Sequence, residues 1–177
     1  SWKFESSPGH HSHRRAKALG VYYEGLFSDA IPKRRLDPLK TKKPVIEVHR
    51  GDLPKGIDFG RSVAIDTEAQ GLHSRRDRLC MVQLSAGDGT AHLVHFPEAE
   101  YAAPNLKAVL TDEKIVKIFH FARFDVGIMR QNLGVMATPI YCTKIASRLV
   151  RTYTDRHGLK DLCRELLGVE LSKEQQS

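Results

Sequence analysis

The chain has 177 residues, 41% of them apolar, so its length and composition suit one domain with a substantial core. Its net charge of +7 is concentrated near the N-terminus, since residues 1–44 hold ten Lys and Arg against four Asp and Glu. No apolar run is long enough to span a membrane or to form the core of a secretory signal. The three cysteines lack C-x-x-C spacing, which favours reduced thiols and a cytoplasmic location.

The N-terminal segment, residues 1–44, has weak periodicity and several turn residues. We expect it to be disordered or loosely packed beside a folded domain over residues 45–177. Its basic residues could bind phosphates non-specifically, and the alternative is a solvated tail or translated sequence upstream of the true start. Its histidines could collect metal adventitiously, without the marks of a designed site; they are His10, His11 and His13.

Residues 45–177 alternate between strand-like and helical patterns. Strands are predicted at 45–48, 63–66, 79–85 and 91–96, the last two joined by a hairpin turn at 87–89. There follow a helix at 104–110, a strand at 114–120, a helix at 126–133, a strand at 140–143, a helix ending at Val150 and a helix at 159–167. This order predicts an α/β fold with a mixed sheet and flanking helices.

Two carboxylates, Asp66 and Glu68, stand at the end of the second predicted strand. Their spacing places both side chains on one face of an extended chain, where they repel each other. A divalent ion that prefers hard oxygen ligands, Mg²⁺ or Mn²⁺, would compensate that repulsion. The alternative is a pair of solvated acids at a strand end.

A third carboxylate, Asp125, follows the strand predicted at 114–120 and lies at or just inside the N-terminus of the next helix. The helix dipole favours a negative charge there. The alternative role for Asp125 is an N-cap of that helix.

The two acidic segments, Asp66-Thr67-Glu68 and FHFARFD at 119–125, resemble the first and second motifs of the DEDD superfamily of 3′→5′ exonucleases. The segments at 142–149, 151–160 and 171–177 resemble the ribonuclease D-like branch, and within it most closely nanoRNase C. The resemblance runs from about Val45 to Ser177. It implies a ribonuclease H-like fold and a metal-dependent exoribonuclease that hydrolyses RNA, preferably short oligoribonucleotides, from the 3′ end.

The resemblance also implies residue roles around two ions, Mg²⁺ or Mn²⁺. Asp66 would bridge both ions, Glu68 would ligate the ion that activates water, and Asp125 would anchor the second ion. Nucleotide contacts are implied for four residues: Thr67, Leu72, His120 and Arg123. For Leu72 the alternative is core packing, and for Arg123 it is an ordinary surface position.

The family's third motif, Tyr-x-x-x-Asp, does not occur in the sequence. We expect it beyond Ser177, and we therefore interpret the chain as a C-terminally truncated exonuclease with little or no activity by itself. His157 and Asp161 offer a His and an Asp, which another branch uses in its third motif. The His-to-Asp spacing in that branch is one residue longer than the spacing from His157 to Asp161. We interpret His157 as a structural residue ahead of a helix.

Two alternative functions remain open from the sequence: tRNA 3′ processing of the ribonuclease D type, and a catalytically inactive fragment that binds nucleic acid. The expected partner is RNA and not a membrane. The basic residues of the folded part gather near its C-terminal end and predict a substrate rim or a subunit contact, which leaves a homo-oligomer open; they are Lys144, Arg148, Arg151 and Arg156.

Overall fold

The structure, a computed structural model, describes residues 45–171. It contains a six-stranded sheet whose strands are β1 (Val45–Arg50), β2 (Ser62–Ala69), β3 (Leu79–Ser85), β4 (Thr90–His95), β5 (Val116–Phe119) and β6 (Ile140–Cys142). The helices are α1 (Pro104–Thr111), α2 (Arg123–Leu133), α3 (Thr143–Val150) and α4 (Leu159–Leu162), which continues as a π-helical turn at Cys163–Leu167. The predicted loose segment at 1–44 lies outside the described residues.

The sheet is mixed, as predicted, with the strand order β1-β4-β3-β2-β5-β6. Strands β2, β3 and β4 form an antiparallel meander, in which a loop at 70–78 joins β2 to β3 and a short turn at 86–89 joins β3 to β4. Strands β5 and β6 add in parallel beside β2, and β1 adds in parallel on the free side of β4. Between residues 45 and 171, no helix combines the length and the apolar character that crossing a membrane requires.

Alternation along β2 divides the core into two parts. Val63 and Ile65 face the larger part, which α1 and α2 cover. Ala64, between them, packs with Ile118 and Leu162 on the other face. If the alternation continues, Thr67 extends the first face and Asp66 and Glu68 extend the second.

Several element boundaries differ from the sequence prediction. Strand β2 runs three residues further, to Ala69, because β3 pairs with it as far as that residue. Helix α2 begins at Arg123, three residues before the predicted start, and so includes Asp125 in its first turn. The helix predicted at 159–167 is α-helical only to Leu162, and it ends at Gly168, whose φ of 68° is left-handed.

A buried lysine joins β5 to the neighbouring loops. Lys117 is fully buried, and its ammonium donates to the carbonyls of Asp112, Ile115 (2.7 Å) and Thr138 (2.8 Å). Three acceptors match the three protons of an ammonium group. Burial lowers the pKa of Lys117, so these carbonyl bonds offset a desolvation cost.

We predict that Lys117→Met lowers the free energy of unfolding by about 2 kcal/mol or more, because it leaves three carbonyls without their shared donor. Lys114→Met, at an exposed lysine three residues earlier, is the matched control and is expected to have little effect. Urea unfolding of both variants checks the prediction. Equal midpoints for the two variants would contradict it.

Candidate active site

The structure joins Asp125 to the strand that carries the other two acids. Asp125 is buried in the first turn of α2, and its Oδ1 accepts from the Thr67 amide (3.1 Å) and from the Thr67 hydroxyl (2.7 Å). The N-cap of α2 is Ala122, which makes no side-chain capping bond, so the alternative role of Asp125 as an N-cap is wrong. The carboxylate reaches across to β2 instead, at the residue between Asp66 and Glu68.

The charge environment of Asp125 is unfavourable to an anion. Burial, and secondly the nearby Asp66 carboxylate, raise the pKa of Asp125 to about 7, although the Thr67 hydrogen bonds act in the opposite direction. Asp66 and Asp125 are therefore close enough to interact electrostatically. A divalent cation beside them would favour the ionised form of Asp125, which is the form that ligates metals.

Glu68 and Gln83 extend this site along the sheet. Gln83 on β3 lies opposite Asp66 in register, and its Nε2 is 3.5 Å from Oε1 of Glu68, the long limit of a hydrogen bond. Gln83 is 1% exposed, and its Oε1 has no hydrogen-bond partner among the protein atoms of the described part. The sequence analysis missed Gln83, although the hairpin between β3 and β4 and the pairing of β3 with β2 bring it there.

The end of β5 supplies a neutral histidine. His120 Nδ1 lies 3.0 Å from the hydroxyl oxygen of Thr143, and that hydroxyl donates to the carbonyl of Phe119. Because the hydroxyl has only one proton to donate, Nδ1 of His120 is the donor and Nε2 remains an acceptor. Burial, and then Lys144, lower the pKa of His120 to about 4, so the ring is neutral near pH 7.

Phe121 occupies the turn between β5 and α2 in a strained conformation. Its φ of 67° is left-handed, which L side chains rarely adopt, and its ring is 48% exposed. The Lys144 ammonium lies 4.2 Å from the centre of this ring, a cation–π distance. Lys144 of the predicted basic cluster therefore stands beside the second acidic segment.

The remaining predicted nucleotide contacts are on the surface. Leu72 is 87% exposed, so its alternative role in the core is wrong. It follows Gly71, where a Cβ would lie 2.2 Å from Oδ2 of Asp77, so this loop needs a glycine at that position. Arg123 is exposed at the first residue of α2.

His157 belongs to a buried network beneath α3. Its Nδ1 lies 2.9 Å from the Ser147 hydroxyl, which also accepts from Arg151 at 2.9 Å. Arg151 is 5% exposed and pairs with Glu165, so its predicted place in a basic surface rim is wrong. Asp161 pairs with Arg164. These contacts agree with the interpretation of His157 as structural.

Comparison with known proteins gives a consistent set of similarities. Residues 52–177 match the sequence profile of the 3′-5′ exonuclease family. NrnC of Brucella melitensis, in a structure bound to pGG, is 53% identical with a TM-score of 0.70, covering 73% of this chain and 64% of that one. The same protein has also been solved with bound Mg²⁺, at 52% identity and a TM-score of 0.70, covering 73% of this chain and 65% of that one.

Ribonuclease D is a more distant relative. The protein from Gluconacetobacter diazotrophicus is 31% identical over 111 residues, which are 63% of this chain and 28% of that protein. The Escherichia coli structure is 26% identical with a TM-score of 0.53, covering 64% of this chain and 29% of that one. The chain thus spans less than two thirds of the length of each of these relatives.

We predict that Asp125 makes the stability of the metal-free protein depend on pH. The folded pKa of about 7 lies above the ordinary 3.8, so the folded state holds a proton that the unfolded state has lost. The resulting stabilisation is complete below pH 3.8 and is lost as the pH rises through about 7. Asp125→Asn, which keeps an acceptor for Thr67, should remove this component.

The measurement is urea unfolding between pH 4 and pH 8, with a chelator present. The quantity compared is the difference in free energy of unfolding, parent chain minus Asp125→Asn variant. This difference should fall steadily as the pH rises. Asp58→Asn, at an exposed aspartate, is the control. Parallel curves for the parent and the Asp125→Asn variant would refute the prediction.

Proposed function

Because the chain belongs to the 3′-5′ exonuclease family, we propose that it is a metal-dependent exoribonuclease that removes nucleotides from the 3′ ends of short RNAs. The observation that carries this proposal is the buried Asp125 carboxylate, which Thr67 holds beside Asp66. Two carboxylates held together in a buried place repel each other when both are ionised. A divalent cation would relieve this repulsion in place of the proton that Asp125 holds in the metal-free protein.

The spacing of the acids supports two ions over one. Asp66, Glu68 and Asp125 do not bring three oxygens within 4.8 Å of one another, judged within the described residues. Two oxygens on opposite sides of a single Mg²⁺ are only about 4.2 Å apart, since each bond is about 2.1 Å. A pair of ions about 3.5–4 Å apart accommodates a wider set of ligands.

The roles we propose for the three acids are those that the family resemblance implies. When bound, Mg²⁺ or Mn²⁺ would supply a Lewis acid and an activated water. Asp66, which neighbours both other acids, would be shared by the two ions. Glu68 would hold the ion on the water side, where Gln83 can orient its carboxylate. Asp125 would hold the second ion, and Thr67 fixes its rotamer.

The proposed nucleotide contacts surround these carboxylates. The exposed Leu72 would pack against the terminal base, a contact that tolerates any sequence. Neutral His120 offers an acceptor at Nε2, and exposed Arg123 offers donors for a phosphate. Thr67 would contribute through its position in β2.

The preference for short RNA rests on the relatives. The chain is 53% identical to a protein solved with pGG, whereas its identity to ribonuclease D is 31%. We therefore favour short oligoribonucleotides over tRNA precursors, and hydrolysis over mere nucleic-acid binding.

The three cysteines are all free, which supports a reducing, cytoplasmic location. We also propose that the chain assembles into a homo-oligomer.

We predict that Asp66→Asn, Glu68→Gln and Asp125→Asn each reduce hydrolysis of a 5′-labelled short RNA by about 1,000-fold or more, because a catalytic set acts as a unit. The sequence holds no Tyr-x-x-x-Asp, so the assay compares the 177-residue chain with a longer form to which a segment carrying this motif has been appended at the C-terminus. The longer form should be the more active, in Mg²⁺ or Mn²⁺.

Two controls sharpen this assay. Asp161→Asn tests the competing third motif and should leave the rate unchanged. A 3′-blocked RNA should resist hydrolysis. Full activity of the Asp125→Asn variant would overturn the proposed site, and equal rates on tRNA precursors and dinucleotides would overturn the substrate preference alone.

A further inference from the structure

Two histidines and a glutamate form a compact cluster at the edge of the sheet, between β1 and β4. Nε2 of His49 lies 3.1 Å from Nδ1 of His92, and Oε2 of Glu47 lies 3.3 Å from that Nδ1 and 3.8 Å from that Nε2. Among the described residues, this is the one group of His, Cys, Asp or Glu with three ligand atoms within 4.8 Å of one another.

These separations match the ligand set of a small transition-metal ion. Zinc binds imidazole nitrogen and carboxylate oxygen at about 2.0–2.2 Å with tetrahedral angles, which places neighbouring ligand atoms about 3.3–3.4 Å apart. The three observed separations bracket this value. Two nitrogens and an oxygen also form the mixed ligand set that such ions prefer, whereas Mg²⁺ prefers oxygen alone.

The fold holds the cluster in place before any ion binds. The parallel pairing of β1 with β4 sets Glu47 directly beside His92, and His49 follows two residues later on the same side. The imidazole rings of His49 and His92 stack at 5.4 Å, and the edge of Phe59 packs at 5.6 Å from His92. Glu47 is exposed, which leaves one side open to water as a fourth ligand.

The surroundings of His49 favour its neutral form. Burial, and secondly His92, lower the pKa of His49, while Glu47 opposes them. His49 is therefore neutral near pH 7, and a neutral imidazole is the form that ligates a metal. A hydrogen bond between the two rings is the arrangement without metal, in which one nitrogen donates to the other.

The cluster is separate from the candidate active site. His92 pairs with Leu84, which pairs with Ile65, so all three side chains lie on the face of the sheet that α1 and α2 cover. Asp66, the neighbour of Ile65, points to the opposite face. Strands β4 and β3 lie between β1 and β2.

We propose that Glu47, His49 and His92 form a second metal site, specific for a transition-metal dication such as Zn²⁺, which fastens the edge strand β1 to β4. Because β1 is hydrogen-bonded to β4 alone among the strands of residues 45–171, an ion shared by both strands would protect it from fraying. This inference does not rest on the proposed nuclease function.

The test is calorimetric titration of the chelator-treated full chain with Zn²⁺, in an excess of Mg²⁺ that occupies the acidic site. The chain carries His10→Gln, His11→Gln and His13→Gln, so that the N-terminal histidines cannot bind the added ion. One Zn²⁺ per chain is expected, together with a higher melting temperature that a chelator reverses. Absence of Zn²⁺ binding would overturn the proposal.

Variants in the same background locate the ion. His49→Gln and His92→Gln should weaken Zn²⁺ affinity by more than about 100-fold, since loss of a direct ligand costs at least as much as loss of a supporting group. His95→Gln, on the same strand but the opposite face, is the matched control and should bind normally. Unchanged affinity in the His49→Gln and His92→Gln variants would overturn the assignment.

Two further measurements keep the result interpretable. Glu47→Gln alters an exposed residue and so preserves the fold even if His92→Gln does not, and it too should weaken Zn²⁺ binding. Co²⁺ bound in place of Zn²⁺ should give visible absorption bands, which His49→Gln abolishes and Asp125→Asn leaves intact. Loss of the bands in the Asp125→Asn variant would assign the ion to the acidic site and overturn the proposal.

Discussion

The hydrogen bonds from Thr67 to Asp125 connect the folding of this domain to its chemistry. They connect β2 to the first turn of α2, and they span 58 residues of sequence. Thr67 can reach Asp125 only if it faces α2, and the alternation of a strand then turns Asp66 and Glu68 to the other face. A register slip of one residue in β2 would lose both the core packing of Ile65 and the acidic site together.

This arrangement costs stability in the absence of a cation. Asp125 is buried beside Asp66 and receives only neutral donors from Thr67, so its ionised form is disfavoured. Gln83 adds a buried oxygen that has no hydrogen-bond partner within residues 45–171. A core selected for stability alone would avoid such groups, and their concentration at one end of β2 and β3 is typical of a functional site.

Much of the fold could be predicted from local patterns. The strand at 79–85 is found with its predicted bounds, because turn residues mark both of its ends. The α/β ribonuclease H-like fold expected from the motifs is confirmed.

Long-range contacts could not be predicted. Nothing near Asp125 in the sequence indicates Thr67 as its partner, and the burial of Arg151 depends on Glu165, 14 residues away. Gln83 required the register between β2 and β3.

The contact of His92 with Glu47 and His49 could not be predicted from local sequence patterns either. The period of two in β1 places Glu47 and His49 on one face, but only the non-sequential pairing of β1 with β4 brings His92 to them. Asp66 and Glu68 thus lie on one face of the sheet, and the cluster of Glu47, His49 and His92 lies on the other. Since carboxylate oxygens suit Mg²⁺ and imidazoles suit Zn²⁺, the two sites favour different ions. Ligand chemistry, together with the thickness of the sheet, would keep a structural ion apart from a catalytic pair.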